Sequence, residues 1–220
     1  MIRNMVSGVV IAAMITFSVS NAVAISIGAG TAIPLEVVDT ANGGPRINVD
    51  ENYAVMLDAG PYRAMSFSFA AGQDGDAIPF LATLTGNPNE YEIVALGDQV
   101  AITGSPVTQT VPFGGSDSFT LATSTTVFAG FTNSPASPHN PIYLDNNTAQ
   151  TTDHDNAIEQ AIMSVGQLIG SPANPMSHAN LGRTYAFAID VQLVPEPSGL
   201  ALLGSGVGLI ALIWRRRRRQ

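Results

Sequence analysis

The 220-residue chain predicts an antiparallel all-β domain, a β-sandwich of jelly-roll type with one short amphipathic helix, followed by a C-terminal transmembrane helix. Three observations carry that expectation. Short apolar runs separated by Gly, Pro, Asn and Asp recur between Ile25 and Val194, which is the punctuation of an antiparallel β domain. The clearest runs alternate with period two and so place their large side chains on one face of a strand. Finally, Gly199 to Trp214 is 16 residues without a charge. As a helix it spans about 24 Å, close to the roughly 30 Å hydrocarbon core once long Arg side chains reach to the interface.

The chain divides into 1–24, 25–194 and 195–220. Arg3 precedes an uncharged apolar run from Met5 to Val19, and Asn21-Ala22-Val23-Ala24 puts Ala22 and Ala24 at the −3 and −1 positions. This is the pattern of a secretory signal peptide cut after Ala24, so the mature chain begins at Ile25 outside the cytoplasm. Strands are expected at Leu35 to Asp39 and Tyr53 to Leu57. Met65, Phe67 and Phe69 then alternate with Ala64, Ser66 and Ser68, which predicts a half-buried strand. Further strands follow at Phe80 to Leu84, Tyr91 to Leu96, Val107 to Pro112, Ser118 to Ala122 and Thr125 to Phe131. The last runs from Thr184 to Leu193, with Tyr185, Phe187, Ile189, Val191 and Leu193 on one face. Asn42-Gly43-Gly44, Asp74-Gly75-Asp76, Gly86-Asn87-Pro88-Asn89 and Gly114-Gly115-Ser116-Asp117 supply the turns. Eight or nine strands of this length suit a jelly roll. One segment differs in period: Ile158, Ala161, Ile162, Val165 and Ile169 share a helical face, Asn156 and Glu159 form a capping box, and Gly170 with Ser171-Pro172 ends it. This helix is expected to pack across one end of the sandwich.

Segment 25–194 holds sixteen acidic residues against Arg46, Arg63 and Arg183, a net charge of −13. The chain has no Lys, which disfavours a nucleic-acid role through phosphate neutralisation. It also has no Cys, so a core must supply the stability that disulfides cannot, and Cys-based zinc sites and Cys nucleophiles are excluded.

The end of the chain is the most specific signal. Val194-Pro195-Glu196-Pro197 is followed by the apolar stretch and by five consecutive arginines, Arg215, Arg216, Arg217, Arg218 and Arg219. Such an Arg cluster acts as a stop-transfer signal that stays cytoplasmic, leaving the main domain outside. The two prolines keep the segment before the span extended and poor in backbone donors, a form that a protease reads without unfolding its substrate. Motif, span and Arg cluster in this order resemble the PEP-CTERM protein-sorting signal of Gram-negative bacteria. The resemblance implies recognition of Pro195, Glu196 and Pro197 by an exosortase in the membrane. It further implies an inner-membrane-anchored precursor that ends at the cell surface or outside the cell, and an association with exopolysaccharide.

Candidate chemistry is sparse. Asp145, Asp153 and Asp155 lie in a stretch dense in carboxylates and amides, which suits a structural Ca²⁺ site. Capping of the following helix by Asp153 and Asp155 is the competing reading. An EF-hand is excluded, because Ser164 stands where a bidentate Glu is needed. His139, His154 and His178 lack zinc-site spacing. Glu90 and Glu92 could share one strand face as an acid and base pair, but so could any solvated strand. No Gly-x-Ser-x-Gly or phosphate loop is present. The expectation is a non-enzymatic, structural or adhesive envelope or extracellular-matrix protein. The alternative is a carbohydrate-binding module on an ordinary membrane anchor, using Tyr53, Tyr62, Tyr91 or Tyr143 because segment 25–194 has no Trp.

Overall fold

The computed structural model describes residues 23–33, 35, 37–38, 47–134, 140–145, 153–155, 164–170 and 183–194, and every regular element among them is a strand. In chain order these are β1 (Ile25–Ile27), β2 (Val37–Val38), β3 (Ile47–Leu57), β4 (Gly60–Ala71) and β5 (Gly75–Leu84). There follow β6 (Tyr91–Leu96), β7 (Val100–Ile102), β8 (Ser105–Pro112), β9 (Ser118–Leu121) and β10 (Thr125–Thr132). The last are β11 (Tyr143–Asp145), β12 (Asp153–Asp155), β13 (Leu168–Ile169), β14 (Thr184–Tyr185) and β15 (Phe187–Leu193).

All pairings are antiparallel. One sheet has the order β1-β15-β4-β8, with β9 also on β4; a second has β12-β3-β10-β5-β6-β13, with β7 on β5; a small third is β14-β11-β2. The first two lie face to face in a sandwich-like pair. Phe67, Phe69, Phe187, Ile189 and Val191 of the first share one buried cluster with Leu81, Val127, Ala129 and Phe131 of the second. The Phe131 ring stands edge-on 5.1 Å from Phe187 and 5.3 Å from Tyr185, so aromatic contacts join the layers.

Period-two alternation located most of these strands and failed where the backbone bulges. In β4 the register against β15 pairs Asp190 with Ser66 and then Val191 with Ala64, leaving Met65 as the extra residue. A bulge flips side-chain parity, so Tyr62 and Ala64 point inward before it and Phe67 and Phe69 after it. Met65, expected beside the two phenylalanines, is 43 % exposed. The expected last strand also divides. Ala186 donates to the Tyr143 carbonyl at 2.8 Å and accepts from Ala70 at 3.0 Å, so the chain leaves the small sheet there and joins the five-stranded one.

The amphipathic helix is corrected over its described part, 164–170; residues 156–163 lie outside the described residues. Gly166 has φ +81°, which a right-handed helix does not allow. Its N–H donates to Ile93 at 2.8 Å and Ile93 donates to Gln167 at 3.0 Å. These bonds run across to β6 instead of back along a helix. Ile169 is buried while Val165 is 48 % exposed, so the two do not share an apolar stripe. No helix among the described residues is long and apolar enough to cross a membrane, and the expected span at Gly199 to Trp214 lies outside them.

A second cluster forms on the other face of the larger sheet, from Ile47, Val49, Phe80, Ala82, Tyr91, Ile93, Phe128 and Ile169. Gly130 lies within it, directly opposite Phe80. A Cβ at Gly130 would sit 2.3 Å from Phe80 Cζ and 2.6 Å from the Asn48 carbonyl oxygen. The ring therefore occupies the space of the missing side chain. Gly130→Ala should lower stability by about 1–3 kcal/mol through overpacking, seen as a lower urea midpoint at unchanged slope.

Candidate functional site

Both ends of the folded domain meet at one place. β1 pairs with β15 so that Ile25 lies opposite Val191 and Ser26 opposite Asp190. On its other side β15 pairs with β4, the last register pair being Leu193 with Tyr62, and the Val194 N–H then donates to the Pro61 carbonyl at 2.9 Å. The expected mature N-terminus and the exit to the C-terminal tail thus lie on adjacent strands at the same end of the sheet. Tyr62 is fixed there by stacking on Phe119 at 5.6 Å and by donating its hydroxyl to the Asp58 carbonyl at 3.1 Å. Val23 is 81 % exposed and Ala24 is also exposed, consistent with an accessible segment before β1. Ala22, Pro195, Glu196, Pro197 and Arg215 to Arg219 lie outside the described residues.

The outer face of the same sheet is polar. Ser66 donates to Asp190 Oδ2 at 2.9 Å, and the Ser68 and Thr110 hydroxyls lie 2.9 Å apart. Arg63 donates to Asp117 Oδ2 at 2.7 Å, which holds the Asp117 carboxyl below its ordinary range with help from the Ser118 hydroxyl. This surface presents hydroxyls and carboxylates rather than rings. Tyr62 and Tyr91, offered above as glycan platforms, are buried, and Tyr53 and Tyr143 are half-buried. The Tyr91 hydroxyl donates to Glu51 while its ring packs edge-on against Phe128. No aromatic residue is among the exposed large apolar side chains of the described residues.

The remaining sequence candidates scatter. Asp145 is buried in β11, in the small sheet, whereas Asp153 and Asp155 lie in β12 at the edge of the large one. Among the described residues no group of three His, Asp or Glu side chains converges on a metal position. His154 also lies in β12, opposite Asn48; His139 and His178 are outside the described residues. Glu90 is bound into the β5–β6 turn: its Oε1 accepts from the Thr85 hydroxyl at 2.6 Å and from Asn87 Nδ2 at 2.8 Å. Those two bonds lower its pKa. Glu92, in contrast, is exposed, so the two carboxylates have separate surroundings.

Sequence reasoning missed Asp50. It lies on the inner face of β3 opposite Ala129, where the register against β10 jumps and leaves Glu51 to Ala54 without direct partners. Asp50 is fully buried. Its Oδ2 accepts from the Ala29 N–H at 3.2 Å, tying the segment after β1 to the facing sheet. Burial pushes its carboxyl up from 3.8 to about 6, opposed by the backbone N–H groups of Ala29, Tyr53 and Asn52 and assisted by the Glu51 charge. Two residues earlier on the same face, Asn48 is fully buried with both amide atoms unpartnered.

Residues 193–218 match the family model described as the PEP-CTERM protein-sorting motif. No curated protein and no solved structure matches the chain. The matched motif supports a secreted protein sorted by a C-terminal signal, whose precursor transits a membrane. The chain thus carries a C-terminal PEP-CTERM sorting signal, and signals of this kind are processed by exosortase, a membrane protein. The match begins at Leu193, the last residue of β15. No linker separates the sheet from the sorting signal.

Because the Asp50 pKa is higher folded than unfolded, the native state binds its proton more tightly. The resulting stabilisation is complete below about pH 4 and is lost as pH rises through about 6, a change of about 3 kcal/mol. Asp50→Asn should flatten this part of the stability profile and raise stability at pH 7, as measured by urea denaturation across pH 4–8.

Proposed function

We propose that the protein is a non-enzymatic component of the cell envelope or extracellular matrix, delivered by exosortase and associated with exopolysaccharide in a structural or adhesive role. The sorting motif at 193–218 carries this reading. The direct passage from β15 into that motif supports it further, since Pro195 follows the last sheet residue by two positions. The prolines then resist extension of the strand, so that processing at Pro195 to Pro197 would leave the sheet intact. We also infer a jelly-roll topology. The strand orders β1-β15-β4-β8 and β3-β10-β5-β6 support it, with the steps β3 to β4, β4 to β5, β7 to β8 and β9 to β10 crossing between the facing sheets.

In this reading the precursor is anchored in the inner membrane by 199–214 and carries its domain outside, the domain having no catalytic role and needing no cofactor. Structural Ca²⁺ at Asp145, Asp153 and Asp155 is tested by chelation. A melting temperature lowered by several degrees in EDTA and restored by Ca²⁺ would establish it. Glycan recognition, if present, would fall to hydroxyl and carboxylate groups on the five-stranded sheet, because the buried positions of Tyr62 and Tyr91 weaken a stacking platform.

Intact mass of the protein from envelope and medium, in wild type and in a strain lacking the exosortase, tests the sorting. A mature mass that starts at Ile25 and ends near Pro197, with the tail retained in the mutant strain, is expected. Retention of Trp214 and the arginines in both strains would refute it.

A further inference from the structure

The outer edge of the five-stranded sheet has a property that the sorting signal does not account for. β8 is the terminal strand of that sheet, beyond β4. Its residues 106–112 read Pro-Val-Thr-Gln-Thr-Val-Pro, the same in both directions about Gln109. No residue of β8 is charged, although the domain around it carries sixteen carboxylates. Pro106, Val107, Thr108, Thr110 and Pro112 are exposed, Val107 to 70 %.

The backbone directions agree with that symmetry. Phe113 donates to the Met65 carbonyl at 3.1 Å, and Val111 and Gln109 lie opposite Phe67 and Phe69. Main-chain groups alternate in direction along a strand, so Thr110 and Pro112 turn theirs away from β4. Pro112, at the end of the open edge, has no donor to leave unpaired, and Pro106 matches it at the other end. The register then slips between Gln109 and Ser105, leaving Pro106, Val107 and Thr108 without partners on β4. Val107 gives its N–H to the Ser105 hydroxyl at 3.2 Å and the Thr108 hydroxyl meets that of Thr31 at 2.7 Å, so the main-chain N–H groups of Thr110 and, past the slip, Thr108 are those offered to an external strand.

We propose that β8 is a self-association edge, at which a second copy of this chain pairs antiparallel about a two-fold axis through Gln109. In that register Gln109 faces Gln109 of the partner copy, Thr108 faces Thr110, Val107 faces Val111 and Pro106 faces Pro112. Each Thr108 and Thr110 pair exchanges main-chain hydrogen bonds, and the prolines meet where no donor exists. A strand that is its own reverse satisfies the requirement of an isologous interface that one surface complement itself. The absence of charge on β8 keeps like charges from facing each other across the pairing edge of two acidic domains. Pairing would join two five-stranded sheets into one, and this inference stands independently of how the tail is processed.

Single-Cys variants of the mature protein test the register, because the natural chain contains no Cys. Under mild oxidation Gln109→Cys should give a disulfide-linked dimer, since directly opposed residues fall within the roughly 4.4–6.8 Å Cα separation that a disulfide needs. Val107→Cys, which is more exposed but lies about four residues out of register with its own copy, should not. Thr110→Pro removes the outward N–H together with an exposed hydroxyl contact to Ser68, and should weaken self-association at least about tenfold in sedimentation equilibrium while shifting the thermal melt no more than Thr110→Val, which loses the same hydroxyl but keeps the N–H; Thr110→Lys provides the same test through charge. A wild-type protein that remains monomeric at micromolar concentrations, or equal cross-linking by the two Cys variants, would overturn the proposal.

Discussion

The path of β3 depends on a buried side-chain acceptor placed where an apolar residue would be expected. Asp50 sits on the inner face of β3 at the point where β3 loses register with β10, and it accepts the Ala29 N–H from the segment that follows β1. A bulge releases backbone donors from the ladder, and buried donors need acceptors. Asp50 supplies them to Ala29, Tyr53 and Asn52. One side chain thus fixes the path of β3 and ties the segment after β1 to it. Its cost is desolvation, expressed as the raised pKa.

The same connection bears on export. β1 has three residues, pairs with β15 along its whole length, and is followed by the Asp50 contact, so a short strand is held at both its edge and its end. β15 carries the chain directly into the sorting signal. The two ends of the domain are therefore coupled through one pair of strands. A domain built in this way completes the sheet at the very place where the sorting signal leaves it.

Polar and apolar surfaces are distributed according to the same logic. Aromatic rings are consumed in joining the layers, as with Phe131, Phe187 and Tyr185, or in the second cluster, as with Tyr91 and Phe128. What faces outward on the five-stranded sheet is a lattice of Ser, Thr and Asp groups that bond to one another. A surface of that kind stays hydrated, its hydroxyls and carboxylates already bonded to one another.

By itself the sequence determined the tail, the all-β class and most strand positions. β6 coincides with the expected run from Tyr91 to Leu96, and β9 and β10 differ by a residue at one end. Their signals are local: alternation, turn residues and an ordered motif need no knowledge of neighbours. The short strands β1, β7, β11 and β12 were not legible, since two or three residues cannot establish a period and exist as strands only through their partners. The inverted parity around Met65 and the loss of the 164–170 helical turn arose in the same way, from a bulge and from bonds to Ile93. Asp50 was invisible as well, because in sequence it is one acidic residue among many. Tertiary structure decided its role, by bringing Ala29 from the other sheet to its carboxylate.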